Sequence, residues 1–350
     1  MDATVDVLGP DYEAIELPLG TDSEGEVVAT LVRRRGSTPD AAPSRRAVLY
    51  VHGFVDYFFQ THLADFYVEQ GFDFYALDLR KYGRSLRPHQ TPNFVGSLTD
   101  HYPEIDEAVR IIREEDGHDV LLLNGHSTGG LIASLWADRV KGQGLVDAVF
   151  LNSPFLDIAE PLVMRKLGAG LARALRGRFP QAKLPAGVSD LYVRSLHSDH
   201  EGEWSFDLGW KPLLGFPVRA GWLAAIRRGQ LRVHAGLGID VPVLVMASER
   251  SVRIKRGLGV GEVSAADAVL DVAHMARWAP GLGPHVTLVR IDGGLHDLVL
   301  SPKPARDQVF AELSRWLRTY LPAASAAPGE SAAGPAAPAE SVESADQVSP

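Results

Sequence analysis

Residues 121–133 read LLLNGHSTGGLIA, an apolar run that ends in Gly125-His126-Ser127-Thr128-Gly129-Gly130 before a second apolar run begins. The pattern G-x-S-x-G is typical of a serine on a tight turn between a strand and a helix. Such a turn crowds the positions two residues before and after the serine, so glycine suits both. Ser127 would then stand at the C-terminal edge of a sheet, where open α/β sheets place their sites. The stretch predicts a nucleophile, and an ordinary Gly-rich turn with a capping serine is the alternative.

Strand-like and helix-like segments alternate around this turn. Short apolar runs predict strands over 27–34, 47–53, 72–80, 119–125, 146–155, 241–247 and 286–292. Helical periodicity and stop signals predict helices over 58–71, 99–117, 129–140 and 305–321. Because parallel strands need crossover connections, this alternation predicts an α/β fold, with a mostly parallel sheet and helices on both faces.

The rhythm divides the chain into four regions. Residues 1–155 and 239–321 form the two parts of the α/β core. Residues 156–238 carry no buried-strand run but hold Trp204, Trp210 and Trp222, and they predict an inserted helical cap. Residues 322–350 contain no aromatic residue, Lys or Arg, and we expect a disordered tail, since such a segment buries too little apolar surface to offset its ordering entropy.

Composition narrows the possible classes of function. The chain has 350 residues, a net charge of −9 and no cysteine, which excludes disulfides, thiolate zinc sites and a cysteine nucleophile. No dense Lys/Arg cluster suggests nucleic-acid binding. The acidic start, MDATVDVLGPDY, does not resemble a secretory signal, and no run reaches the roughly 18 apolar residues of a membrane span. We expect a soluble, cytoplasmic protein.

A serine nucleophile needs a base and two oxyanion donors. The Thr128 N–H, at the start of a helix, is one predicted donor. The strand–loop sequence LYVHGFVDY supplies the other, the Phe54 N–H, because Gly53 lets the backbone pass close to a reacting carbonyl. Of twelve histidines, His296 directly follows the last strand, in VRIDGGLHDLVLS, and is the predicted base. His126 belongs to the turn itself and should point away from the serine hydroxyl.

Several stretches together resemble one known family. They are VLYVHGF (48–54), GFDFYALDLRKYGRS (71–85), LLNGHSTGG (122–130), PVLVMAS (242–248) and GGLHDLVLS (293–301). Their order and spacing resemble α/β-hydrolases of the monoacylglycerol lipase/lysophospholipase type, also called serine aminopeptidase-like. The resemblance implies a cap domain, an acylglycerol- or lysophospholipid-like ester as substrate, and transient contact with lipid surfaces. Two departures stand out: Lys81 replaces a usual glycine, and the segment after PVLVMAS is longer than usual.

Three carboxylates compete for the role of the triad acid. Glu249 lies nearest the strand end, but a run of basic residues follows it, and Asp271 opens an apolar pattern typical of a helix N-cap. The resemblance favours Asp267, because the family's acid precedes a short apolar pair and a helix. The sequence thus predicts a Ser127–His296–Asp267 triad, with Asp271 and Glu249 as alternatives.

The predicted function is ester hydrolysis through an acyl-enzyme, which needs no metal or organic cofactor. The alternative from another class is a non-hydrolytic binding or signalling protein on the same fold. A dinucleotide-binding oxidoreductase is disfavoured, because LGAGLARALRG (167–177) lacks the third glycine and follows no strand.

Overall fold

The computed structural model describes residues 3–35, 44–158, 179–184, 189–255 and 257–322. Its strands are β1 (Ala3–Asp6), β2 (Gly9–Asp22), β3 (Gly25–Arg34), β4 (Arg46–Val51), β5 (Asp73–Asp78), β6 (Val120–His126), β7 (Ala148–Asn152), β8 (Val243–Ser248) and β9 (Val286–Ile291). Its α-helices are α1 (Thr61–Glu69), α2 (Tyr102–Arg110), α3 (Thr128–Arg139), α4 (Leu191–Arg194), α5 (Ala220–His234), α6 (Val260–Val263), α7 (Val272–Trp278) and α8 (Lys303–Tyr320).

The described strands form one sheet in the order β1-β2-β3-β5-β4-β6-β7-β8-β9. The pairs from β5 through β4 and β6 to β9 are parallel, whereas β1, β2 and β3 join antiparallel at one end. Buried side chains under α2, α3 and α5 form one core cluster, and those under α1 and α8 form another on the opposite face. The prediction of a mostly parallel sheet with helices on both faces is confirmed.

The two N-terminal strands, β1 and β2, were not predicted from the sequence. β2 contains Pro10, Pro18 and Gly20, and it buries Ile15 and Leu17 in one core cluster and Tyr12 in the cluster on the opposite face. Proline and glycine are rare within strands, and few residues of β2 are buried, so its apolar signal is weak.

Helix α3 is buried nearly all round rather than along one stripe. Its outer face is covered by α5, where a Cβ on Gly229 would lie 2.7–3.5 Å from side-chain atoms of Leu98, Leu135 and Leu131. Part of the segment assigned to the cap therefore packs against the α3 layer of the core.

The remaining described part of the insertion contains α4 and the loop 195–219. Residues 159–178 and 185–188 of the predicted cap, and residues 323–350 of the predicted tail, lie outside the described residues. Within the described ranges, no helix is both long and apolar enough to cross a membrane.

Lys81, where the resemblance leads us to expect glycine, has a φ of 66°, in the left-handed region that glycine favours. Its side chain is buried, and its ammonium lies 2.5 Å from Asp22 Oδ2 and 2.6 Å from Glu24 Oε2. The Asn93 N–H donates to the Lys81 carbonyl at 3.0 Å. Lys81 thus connects the β2–β3 hairpin to the loop after β5. These contacts offset the strain of its positive φ.

We expect Lys81→Met to lower the free energy of unfolding by about 2–3 kcal/mol, because the largely buried Glu24 carboxylate loses its ammonium partner while the strained φ remains. Urea denaturation measures this change. The matched control is Lys303→Met, which removes an exposed pair with Asp307 and should change stability by less than about 0.5 kcal/mol. Equal effects of the two substitutions would contradict the role given to Lys81.

Candidate active site

Ser127 occupies the sharp turn between β6 and α3, with φ 53° and ψ −116°. This backbone conformation is strained for a residue with a side chain. A Cβ on Gly125 would lie 2.7 Å from the Gly130 Cα, and one on Gly129 would lie 2.2 Å from the His52 carbonyl oxygen. Both glycines are therefore required by close backbone approach, as the spacing G-x-S-x-G predicts.

His296 lies between Ser127 and Asp267. Its Nε2 is 3.0 Å from Ser127 Oγ, and its Nδ1 is 2.9 Å from Asp267 Oδ2. Asp267 is fully buried, and its other oxygen accepts the N–H groups of Val269 and Leu270 at 2.8 and 2.7 Å. The carboxylate orients the imidazole so that Nδ1 carries the proton and Nε2 can accept one from the serine.

The two competing carboxylates do not contact His296. The Asp271 side chain accepts the Ala273 N–H at 3.0 Å as the N-cap of α7. Glu249 is exposed after β8. The long segment after β8 returns to the sheet edge through a bridge between Ser251 and Asp267, in which the Val252 N–H donates to the Asp267 carbonyl at 2.8 Å.

The predicted oxyanion donors flank Ser127. Thr128 is the first residue of α3, so its N–H has no acceptor within the helix. The loop that carries Phe54 passes against the serine, since a Cβ on Gly53 would lie 3.1 Å from Ser127 Cβ. The arrangement places both donor-bearing segments next to the serine side chain.

The His52 ring contacts this loop and the residue after β5. Its Nδ1 lies 2.8 Å from the Gly53 carbonyl oxygen, and its Nε2 accepts the Leu79 N–H at 3.0 Å. Burial lowers the pKa of His52, which favours the neutral ring that these two contacts require, with the proton on Nδ1. His52 therefore acts as a structural link between the loop and the end of β5.

Asn152 and Asp297 hold the loop that carries His296. The Asn152 amide donates to Asp297 Oδ1 at 2.7 Å, and its oxygen accepts the Leu298 N–H at 3.2 Å. The Tyr192 hydroxyl, from α4 of the insertion, accepts the Asp297 N–H at 3.1 Å. None of these three residues was predicted from the sequence. The only sequence signal is that Asn152 lies at the C-terminal end of β7 and that Asp297 follows His296.

His126 does not contact the Ser127 hydroxyl in the described structure. Its Nδ1 lies 3.3 Å from Asp56 Oδ2 and 4.0 Å from Asp297 Oδ2. Burial alone would lower the pKa of His126, but the carboxylates of Asp297 and Asp56 outweigh it and raise the pKa. His126 therefore lies in a buried cluster of charged side chains beside Ser127.

Asp56, His126 and Asp297 are the three buried residues that bring metal-ligand atoms within 4.8 Å of one another in the described part of the chain. The Lys211 ammonium already pairs with Asp56 at 2.5 Å. A metal ion here would meet the repulsion of that ammonium, so these residues do not fit a cation site well.

The sequence profile of a family described as serine aminopeptidase, S33, matches residues 42–257. The chain belongs to the serine aminopeptidase S33 family. The match includes Phe54, Ser127 and Thr128, whereas Asp267 and His296 lie beyond it. In this S33 hydrolase, the contacts of those two residues with each other and with Ser127 come from the geometry at the sheet edge.

Solved structures similar to this S33 protein share the α/β-hydrolase fold, which confirms the predicted fold class. A soluble variant of the monoglyceride lipase from Saccharomyces cerevisiae, in complex with a substrate analog, has a TM-score of 0.63 at 17% identity, covering 87% of this chain and 94% of that one. The monoacylglycerol lipase from Paleococcus ferrophilus has a TM-score of 0.59 at 18% identity, with 91% and 100% covered. Est1E from Butyrivibrio proteoclasticus, bound to ferulic acid, has a TM-score of 0.53 at 15% identity, with 87% and 99% covered. No curated protein sequence matches the chain.

Proposed function

We propose that the protein hydrolyses carboxylic esters through a covalent acyl-enzyme, with Ser127 as nucleophile, His296 as base and Asp267 as the group that orients it. The observation that supports this most strongly is the position of His296, with one ring nitrogen 3.0 Å from Ser127 Oγ and the other 2.9 Å from Asp267 Oδ2. A nucleophile, a base and an orienting acid within hydrogen-bond reach are the arrangement that acyl transfer needs.

In the acylation step, Ser127 Oγ attacks the ester carbonyl carbon while His296 Nε2 takes the hydroxyl proton. Asp267 stabilises the imidazolium that forms. The carbonyl oxygen becomes an oxyanion, to which the N–H groups of Phe54 and Thr128 would donate. When the tetrahedral intermediate collapses, His296 gives its proton to the departing alcohol oxygen, and the acyl group stays on Ser127.

In the deacylation step, a water molecule replaces the alcohol. His296 Nε2 takes a proton from the water as the water oxygen attacks the acyl carbon. A second oxyanion forms, to which the same two N–H groups would donate; these two groups make up the oxyanion hole. Collapse breaks the bond to Ser127 Oγ, which recovers its proton from His296. The products are a carboxylic acid and an alcohol, and no metal or organic cofactor takes part in these steps.

For the substrate, we favour an acylglycerol- or lysophospholipid-like ester. Support comes from the sequence resemblance and from structural neighbours that are named monoglyceride lipases. In the loop after β4, the half-buried Phe54 ring packs on the buried Trp222 ring with centroids 4.1 Å apart, and such apolar side chains suit an acyl chain.

The substrate test is a panel of p-nitrophenyl and glycerol esters of increasing acyl length, with lysophospholipids and an aminoacyl p-nitroanilide included. We expect the highest kcat/KM on an apolar acyl ester. Faster cleavage of the anilide than of every ester would replace the proposed substrate class by an aminopeptidase substrate.

A fluorophosphonate probe separates hydrolysis from the alternative of a non-hydrolytic binding protein. We expect one covalent adduct, located on Ser127 by peptide mass spectrometry, because the probe traps an activated serine. A folded protein that neither reacts with the probe nor cleaves any ester of the panel would favour the binding alternative.

The predicted cap over residues 156–238 is proposed to act as a lid over Ser127. Its described part supports this, since Tyr192 contacts the loop of His296 and Lys211 and Trp222 contact the loop after β4. A cytoplasmic location and transient contact with lipid surfaces stay predictions.

A further inference from the structure

The loop that carries the Phe54 N–H contains a strained residue. We name residues 53–60 the oxyanion loop. Val55, which follows Phe54, has a φ of 51°. A β-branched residue in the left-handed region is a clear outlier, because its Cβ substituents clash with the backbone. Such strain, of order 1–3 kcal/mol, persists only where the surroundings hold the backbone in place.

A buried ion pair from the insertion holds the residue after Val55. The Lys211 ammonium lies 2.5 Å from Asp56 Oδ1, and both side chains are almost fully buried. Burial alone would raise the pKa of Asp56, but Lys211, and after it His126, outweigh it and lower the pKa. Asp56 is therefore ionised near neutral pH, and the pair with Lys211 stays intact there.

Aromatic contacts from the same part of the insertion cover the rest of the oxyanion loop. The rings of Phe54 and Trp222 lie 4.1 Å apart, and Tyr57 meets Trp210 edge-on at 5.1 Å. The Tyr57 hydroxyl also accepts the Asp207 N–H at 2.6 Å. Residues on both sides of Val55 are thus fixed by residues 206–222.

We propose that Lys211 and Trp222 are positioning residues of the reaction, which hold the oxyanion loop in the strained conformation that aims the Phe54 N–H at the reacting carbonyl. The inference rests on the proposed function. It follows that the oxyanion hole is complete only when residues 206–222 are seated on the loop. Without these contacts, relief of the Val55 strain moves the donor, and a displacement of about 1 Å in an active site costs on the order of 100-fold in rate.

The first test is Lys211→Met, which keeps the apolar stem and removes the charge. We expect kcat on the preferred p-nitrophenyl ester to fall about 10- to 100-fold, with KM changed less than about 3-fold, since the oxyanion forms after binding. The affinity for a trifluoromethyl ketone with the same acyl chain should fall by a similar factor, because its serine adduct places an oxyanion in the hole. Wild-type kcat and ketone affinity in this variant would overturn the proposal.

The second test is rescue by Val55→Gly. Glycine adopts a φ of 51° without strain, so the loop no longer needs the clamp. We expect Val55→Gly to restore at least 5-fold of the kcat that is lost in the Lys211→Met background. No rescue would mean that the loss has another cause than loop strain, and would overturn the proposal.

If Lys211→Met does not fold, Trp222→Leu takes its place in both tests, alone and together with Val55→Gly. The matched control is Lys81→Met, which likewise removes a buried ammonium, here from Asp22 and Glu24, but leaves the oxyanion loop untouched. It should lower Tm without weakening ketone binding, and equal weakening would overturn the proposal. Phosphonate labelling that persists in Ser127→Ala would instead overturn the proposed function itself, so the two failures are distinguishable.

Discussion

Replacing Ser127 by alanine is expected to leave the protein folded and to lower kcat by on the order of 10⁴-fold or more. The substitution removes the Oγ that lies 3.0 Å from His296 Nε2, and with it the atom that forms the acyl-enzyme. The fold should persist because the hydroxyl is not part of the core packing, and the backbone turn is fixed by the close approach at Gly125 and Gly129. Ester hydrolysis, phosphonate labelling and Tm measure the three consequences.

Ser153 offers a matched control for this experiment. It is also buried, follows a strand at the same sheet edge, and has a positive φ of 47°. The hydrogen bonds of His296 in the described structure go to Ser127 and Asp267, and Ser153 has no part in them. Ser153→Ala should keep labelling and activity within about 3-fold of wild type. If Ser153→Ala were inactive and Ser127→Ala active, the nucleophile would be misassigned.

The central strands and the turn at Ser127 could be predicted because each has a strong local signal. Strands β4–β8 are continuous apolar runs, as expected for strands buried on both faces, and the serine turn needs glycine at two fixed positions. Strand β2, between β1 and β3, lacked such a signal, since only three of its residues are buried and prolines lie on either side of them. Local composition therefore identifies the buried central strands but not the partly exposed strands β1 and β2 at the end of the sheet.

In the candidate site, too, some residues could be predicted from local sequence and others could not. Ser127 directly follows β6, and His296 lies in the loop after β9, so the strand ends predicted that both lie at one edge of the sheet. The pair between Asp56 and Lys211 joins residues 155 positions apart, and no local pattern marks either as buried. Lys and Asp are among the residues least often buried, so composition alone favours a solvated position for both. Only the packing of residues 206–222 on the oxyanion loop reveals the pair.

The candidate acid could be predicted only in part from local sequence. Asp271 could be recognised as an N-cap from the apolar pattern after it, and the structure has it in that position. The choice of Asp267 over Glu249 rested on the basic residues after Glu249 and on the resemblance, because the length of the loop after β8 hides where the loop returns to the sheet edge. The bridge between Ser251 and Asp267 brings the loop back to the sheet edge. A contact between two loop segments leaves no periodic trace in the sequence.

Replacing Asp267 by asparagine is expected to lower kcat about 10⁴-fold with little change in fold. One oxygen of Asp267 accepts the N–H groups of Val269 and Leu270, and the other faces His296 Nδ1. An asparagine would keep its oxygen towards the two N–H donors and turn its NH₂ group towards Nδ1. The ring would then carry its proton on Nε2, so it could not accept the proton of Ser127.

The matched substitutions Asp271→Asn and Glu249→Gln separate the three candidate acids. Asparagine caps a helix as well as aspartate does, so Asp271→Asn should keep both Tm and kcat near wild type. Glu249 is exposed, and its amide should likewise leave kcat within about 3-fold of wild type. Hydrolysis of the preferred p-nitrophenyl ester and the rate of phosphonate labelling measure the outcome. Near-normal rates for Asp267→Asn, together with a loss of 10³-fold or more for either of the other two, would move the acid to that residue, because only the acid that fixes the proton on Nδ1 leaves Nε2 free to act as the base.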